Sequence, residues 1–101
     1  MALVRRPDPA VMEIGYWVAP WARRRGVATR GMRLVCEWAF EDPGTHRIEW
    51  MALVGNVASR RAAEACGFRI EGVLRSRAEQ GGVRTDVWIA GLIRTDLSTV
   101  T

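Results

Sequence analysis

The stretch Ala19-Pro20-Trp21-Ala22-Arg23-Arg24-Arg25-Gly26-Val27-Ala28-Thr29 organises the rest of this 101-residue chain. An apolar extended run, residues 14–18, precedes it, and a segment with helical spacing follows from residue 29 to 40. The pattern indicates a strand-to-helix corner with three arginines and a glycine at its apex. A helix start presents unpaired N–H groups and the positive end of the helix dipole, where phosphate binds readily. We therefore predict an anion site here, with Gly26 allowing close approach of the ligand or a positive φ.

The length and composition suit one globular domain, residues 1–101. Hydrophobic residues make up 49% of the chain, which is enough for a core. No apolar run approaches the roughly 20 residues of a membrane span, and the first residues have no signal-peptide core. We expect a cytoplasmic protein that does not bind membranes.

Charge and reactive residues exclude several kinds of chemistry. The net charge is +4, and all 15 basic residues are arginine, so lysine Schiff-base catalysis is excluded. His46 is the only histidine, which argues against a zinc site or a Ser-His-Asp triad, and we expect no metal. Cys36 and Cys66 fall in predicted helices outside any CxxC motif, so we expect two reduced, buried thiols, with one disulfide as the alternative.

Periodicity predicts an α+β fold with the order β-turn-β-α-β-α-β-turn-β, a mixed sheet with two helices packed on it. The helices span residues 29–41, with Met32, Val35, Trp38 and Ala39 on the buried face, and residues 57–66. Asn56 and Gly67 fit the N-cap and C′ positions of the second helix. We expect strands at residues 2–4, 11–18, 47–54, 68–75 and 84–93, a turn at 79–82 and frayed residues 98–101.

With these elements in order, residues 23–28, Arg-Arg-Arg-Gly-Val-Ala, resemble the acetyl-CoA signature of the GNAT acyltransferases, Arg/Gln-x-x-Gly-x-Gly/Ala at a strand-to-helix corner. The preceding Glu-Ile-Gly-Tyr-Trp-Val, residues 13–18, is similar to the family's fourth strand. Asn56-x-x-Ser59, Cys66-Gly67-Phe68 and Glu71-Gly72 resemble the later motif of the ribosomal-protein-alanine N-acetyltransferase branch. The resemblance covers residues 11–97 and implies the acyl-CoA N-acyltransferase fold.

The resemblance also implies a truncated domain. Family members carry three strands and two helices before this point, whereas here only residues 1–10 precede it. Those elements normally form the acceptor side of the site. We therefore expect a partial GNAT domain, its C-terminal half, and a homo-oligomer in which another copy covers the truncated face.

The resemblance implies a coenzyme A site at the corner. The backbone N–H groups of residues 24–29 would hold the pyrophosphate, with Arg23, Arg24 and Arg25 adding charge-assisted bonds. The end of the preceding strand would bond the pantetheine arm, and Asn56 and Ser59 would lie beside the arm and the thioester. The predicted cofactor residues are Trp17, Val18, Ala19, Arg23, Arg24, Arg25, Gly26, Val27, Ala28, Thr29, Asn56 and Ser59. Simple alternatives are a solvated arginine turn and, for Asn56 and Ser59, ordinary helix capping.

The implied reaction is attack of an amine on the acetyl-CoA thioester, which needs a proton acceptor. Glu13 and Glu49, on the strands beside the cofactor, are the candidate bases; each is alternatively a salt-bridged or solvated carboxylate. Many family members have a tyrosine acid four residues before the Gly-Phe pair, where this chain has Ala63, so Ser59 or water would protonate the sulfur.

Two other functions stay open from the sequence. A half-domain that binds coenzyme A or a partner chain without catalysis accounts for the truncation. A nucleic-acid binder is disfavoured, because the arginines cluster at one corner and no nucleic-acid motif accompanies them. The acceptor amine, whether a protein N-terminus or a small molecule, is left undetermined.

Overall fold

The computed structural model describes residues 3–5, 8–14 and 25–98, and in residues 3–5, 25–28 and 98 it describes only the backbone. These residues contain five strands and three helices. They are β1 (Leu3–Arg5), β2 (Val11–Ile14), α1 (Arg25–Phe40), β3 (Arg47–Leu53), α2 (Val57–Ala65), β4 (Arg69–Gln80), β5 (Val83–Ile93) and α3 (Arg94–Ser98). The expected mixed α+β architecture is confirmed, with α3 as an addition.

The sheet has the order β1-β2-β3-β5-β4. Only β2 and β3 are parallel, pairing from Val11↔Arg47 to Ile14↔Trp50, and α1 forms the crossover between them. The other pairs are antiparallel. A parallel pair joined by a helix sends both strands in one direction, so the carboxyl ends of β2 and β3 lie at the same edge of the sheet.

The core lies between the sheet and the helices. Side chains in β2 and β3 alternate between buried and half-buried, as period-two patterning requires. Members of the core from all the packed elements include Met12, Ile14, Met32, Cys36, Phe40, Ile48, Trp50, Ala63, Phe68, Ala90 and Leu92. We refer to this side of the sheet as the helix face, and to the side bearing Glu13, Arg47 and Glu49 as the second face.

Helix α1 corrects two expectations. It begins at Arg25, four residues before the predicted start at Thr29. Gly26 is tolerated in the first turn because the N–H groups there have no intrahelical partner in any case. Trp38 was expected to be buried but is 63% exposed, while Cys36 is fully buried. At 100° per residue, Trp38 lies about 120° around the helix from Met32, whereas Cys36 lies about 40° away.

Helix α2 has the predicted caps. The Oδ1 atom of Asn56 accepts the Ser59 N–H at 3.4 Å. At the other end Gly67 has φ 102°, its N–H donates to Glu64 O, and the Phe68 N–H donates to Ala63 O. This pair of bonds is a Schellman motif, which requires a left-handed residue at C′.

The C-terminal region differs from the expectation. Strand β4 continues to Gln80, and a two-residue turn, Gly81-Gly82, has φ 59° and 79°, as a type I′ hairpin requires. Ser98, expected to be frayed, belongs to α3. Asp96 accepts the Ile93 N–H at 3.1 Å, one half of a capping box. The Arg94 guanidinium, stacked on Phe40, donates to Phe40 O, Asp42 O and Thr45 O and so secures the end of α1.

Both cysteines are free and buried, as expected. Burial, with smaller contributions from the nearby Cys66 and Glu37, raises the pKa of the Cys36 thiol to about 12. Burial also raises the pKa of Cys66 to about 11, and its Sγ donates to Thr29 O at 3.2 Å. The two thiols therefore act as small apolar groups that join α1 to α2. None of the described helices is long and apolar enough to cross a membrane.

Replacing Gly67 with alanine should destabilise the fold by roughly 1–2 kcal/mol, because a Cβ at its positive φ is strained. Gly72→Ala is the matched control, since no atom lies within 4 Å of the added Cβ and its φ is not positive. Urea unfolding of both variants measures the difference. Equal stability of the two variants would contradict the Schellman assignment.

The buried thiols should resist iodoacetamide in the folded chain at pH 8.5 and react fully in guanidinium chloride, as mass spectrometry can count. Above pH about 9 the unfolded chain loses thiol protons that the folded chain keeps, so stability should fall as the pH rises toward 11. The Cys66→Ala variant should show a shallower fall. Rapid labelling of the native chain would contradict this assignment.

Candidate active site

Two helix N-termini lie at one edge of the sheet. Helix α1 follows β2 and helix α2 follows β3, and these two strands are parallel. Their first turns, Arg-Gly-Val-Ala and Val-Ala-Ser-Arg, contain no acidic residue that would offset the positive ends of the dipoles. Ligands commonly bind outside the carboxyl ends of parallel strands, where helix N-termini attract anions. This edge is the candidate active site.

The predicted cofactor residues between Trp17 and Thr29 fall into three groups. Trp17, Val18, Ala19, Arg23 and Arg24 lie outside the described residues. Residues 25–28 form the first turn of α1, and only their backbone is described. Thr29 is half-buried in the next turn, and its carbonyl accepts the Cys66 thiol. The free N–H groups of a helix start thus begin at Arg25, within the range predicted to hold a pyrophosphate.

Asn56 and Ser59 stand together at the start of α2. Both are half-buried, and the Oδ1 of Asn56 caps the helix through the Ser59 N–H. Within the described residues, neither the Asn56 Nδ2 nor the Ser59 Oγ has a hydrogen-bond partner. Capping therefore uses the oxygen of Asn56 and leaves an amide donor and a hydroxyl for a ligand, so the capping and binding interpretations are compatible.

Glu13 and Glu49 are register partners on β2 and β3, both half-buried on the second face. The Nε of Arg47 donates to Glu49 Oε2 at 3.0 Å. Arg47 also binds Glu71 through both terminal nitrogens, at 2.6 and 3.1 Å, and these bonds hold the pKa of Glu71 below its usual range. Glu49 is thus a salt-bridged carboxylate, the simpler of its two interpretations, although its other oxygen is not used by Arg47.

Arg47, Glu49 and Glu71 together form what we call the Arg47 cluster, which was not predicted from the sequence. Its signal was present, because Arg47-x-Glu49 within a strand puts both side chains on one face. The partner Glu71 comes from a bulge in β4 and could not be read from spacing. Gly91 on β5 lies beneath these side chains, and a Cβ there would collide with the Arg47 guanidinium and lie 2.7 Å from Glu71 Oε2, so a larger residue would make the Arg47 and Glu71 side chains shift.

Among the described residues, no three His, Cys, Asp or Glu side chains lie close enough together to hold a metal ion. Trp50 is fully buried and pairs with Ile14, the last residue of β2. Its indole Nε1 has no hydrogen-bond partner among the described residues.

Comparison with known proteins agrees with this architecture. The family model for the acetyltransferase (GNAT) domain matches residues 1–69. The probable N-acetyltransferase YjcK of Bacillus subtilis is 32% identical over 83 residues, which are 82% of this chain and 46% of that protein. This chain therefore spans about half the length of the curated relatives it matches.

Solved structures show the same fold. A GCN5-related N-acetyltransferase from Brucella melitensis superposes with a TM-score of 0.81 and 36% identity, covering 98% of this chain and 46% of its own. Mycobacterium smegmatis RimJ, in complex with CoA-disulfide, gives a TM-score of 0.78 and 31% identity over 87% of this chain and 42% of its own. With its sheet, its paired helix starts and a family match over more than half of its residues, this chain belongs to the GNAT family of N-acetyltransferases.

Proposed function

We propose that this chain binds acetyl-CoA and transfers the acetyl group to a primary amine, either a protein N-terminus or a small amine, by direct attack on the thioester. The observation that carries the proposal is that α1 and α2 both begin at the edge of the sheet where the parallel strands end. Neither first turn contains an acidic residue that would offset the positive end of the helix dipole. The relative RimJ, whose structure contains CoA-disulfide, supports coenzyme A as the ligand.

In this proposal the pyrophosphate binds the first turn of α1. The N–H groups of residues 25–28 have no intrahelical acceptor and point along the dipole, so an anion lowers their free energy. Arg23, Arg24 and Arg25 add charge-assisted bonds from the same corner. The main chain of Trp17, Val18 and Ala19 bonds the pantetheine arm.

At the reacting end of the cofactor, Asn56 Nδ2 and Ser59 Oγ are the donors that capping leaves unused. The amine nitrogen forms a bond to the thioester carbon, and its proton passes to Glu13, Glu49 or a water that one of them orients. As the tetrahedral intermediate collapses, the C–S bond breaks and the thiolate takes a proton from Ser59 or water. The products are an amide and free coenzyme A.

The alternative is a half-domain that binds coenzyme A or a partner chain without catalysis. This alternative is in keeping with the coverage, because the chain matches less than half of YjcK, of the Brucella melitensis protein and of RimJ. The second face of the sheet also favours it. The described helices pack on the helix face of the sheet. On the second face, the apolar side chain of Ile93 is 46% exposed. A second copy covering this face in a homo-oligomer would complete the acceptor side.

In this proposal, residues 1–101 form one partial GNAT domain that acts in the cytoplasm and has no nucleic-acid or membrane partner. The two free thiols are in keeping with a reducing compartment.

Acetyl-CoA binding is the first test, by isothermal titration of the intact chain. Arg25→Glu should weaken binding by about 10- to 100-fold, the value of one charge-assisted hydrogen bond. Arg33→Glu is the control, with the same charge reversal about 12 Å further along α1. Equal losses in both variants would indicate non-specific attraction, and no saturable binding by the wild-type chain would overturn the proposal.

Catalysis is tested by release of the coenzyme A thiol with a polyamine and with a short peptide as acceptors. If one carboxylate is the base, Glu13→Gln or Glu49→Gln should lower kcat by about 100-fold or more, with little change in acetyl-CoA affinity. A loss below tenfold in both variants would leave proton transfer to water. Binding without thiol release by the wild-type chain would favour the half-domain alternative, and sedimentation would then report whether the bound form is a monomer or an oligomer.

A further inference from the structure

The β4–β5 hairpin extends past the end of β3 on the side of the candidate active site. The last pair between β3 and β5 is Leu53↔Val87, and β5 begins four residues earlier, at Val83. The hairpin therefore projects about 13 Å beyond the carboxyl end of β3, at roughly 3.3 Å per residue. Asp86 is the first residue of this projection.

A bulge in the projecting part holds a strained residue. The register of β4 against β5 shifts between Leu74 and Ala78, and within that shift Ser76 has φ 55°. It is the one non-glycine residue with a positive φ in the described part of the chain. This conformation costs a side-chain-bearing residue roughly 1–2 kcal/mol, so the surroundings must hold it.

Two side chains hold Ser76. Its N–H donates to Asp86 Oδ1 at 2.9 Å. Its carbonyl accepts Arg84 Nε at 3.2 Å and Nη2 at 2.5 Å. The N–H and the carbonyl of Ser76 are thus both hydrogen-bonded to side chains of β5. The Asp86 side chain therefore links β5 to the bulge.

Asp86 also holds the loop that ends at Asn56. The Val54 N–H donates to the main-chain oxygen of Asp86 at 3.1 Å. The Asn56 N–H then donates back to Leu53 O at 3.0 Å, around Gly55 at φ 104°. One residue therefore connects the hairpin bulge, through its side chain, to the approach of the α2 N-cap, through its carbonyl.

We propose that Asp86 is a positioning residue for Asn56, acting through the Ser76 bulge on one side and the Val54 N–H on the other. This inference rests on the proposed role of Asn56 beside the pantetheine arm. It concerns only the arm and the thioester, because the pyrophosphate binds at α1 and has no contact with the hairpin in the proposal.

The test compares two ligands. Acetyl-CoA has a pantetheine arm, whereas ADP has the pyrophosphate without the arm. Asp86→Ala should weaken acetyl-CoA about fivefold, as expected for losing the order that one hydrogen bond supplies, and leave ADP unchanged. Asp86→Asn retains the Oδ1 acceptor and should bind both ligands like the wild type. Arg25→Glu, in contrast, should weaken both ligands.

A second substitution separates positioning from simple stability. Glycine needs no help to adopt φ 55°, so Ser76→Gly added to Asp86→Ala should restore acetyl-CoA affinity. In Asp86→Ala alone, amide hydrogen exchange at Val54 and Asn56 should speed up about tenfold, and this readout does not depend on any ligand. Unchanged exchange at these two amides would overturn the inference whether or not the chain binds acetyl-CoA. Equal weakening of ADP and acetyl-CoA would also overturn it.

Discussion

The parallel pairing of β2 with β3 is the constraint on which the rest of the structure depends. It brings the ends of two strands to one edge, and each strand is followed by a helix that starts there. An antiparallel pair would send the two helices to opposite edges and divide the positive dipoles between them. The position of the core on the helix face follows from the same pairing, because α1 must cross over one side of the sheet to return to β3.

Strand alternation keeps the apolar side chains of the helix face apart from the charged side chains of the second face. Met12, Ile14 and Ile48 enter the core, while Glu13, Arg47 and Glu49 between them stay on the other side. The Arg47 cluster makes the second face charged at its centre, where Gly91 leaves room for the guanidinium. The chain thus has a buried apolar core on the helix face, while its second face carries both the charged Arg47 and Glu49 and the exposed Ile93.

Several local features could be predicted from sequence because they depend only on near neighbours. The caps of α2 are of this kind, since Asn56 and Gly67 act within four residues of their partners. The corner glycine and arginines likewise predict an anion site from local spacing, and that site stays a prediction. The start of α1 was predicted four residues late, and the exposed Trp38 was assigned to the core, because helical phase depends on which side meets the sheet.

The sequence by itself determined the order of elements, the α2 caps, the reduced state of the thiols and the family, since each rests on local spacing or on a motif. Only the tertiary structure decided that Glu49 is ion-paired with Arg47, that Glu71 joins them, and that Asp86 connects the bulge to the Asn56 loop. Apart from the Arg47–Glu49 pair within β3, these contacts join residues that lie on different strands or in the loop after β3. Their partners are chosen by register and by bulges in β4, which depend on the whole sheet and leave no fixed spacing along the chain.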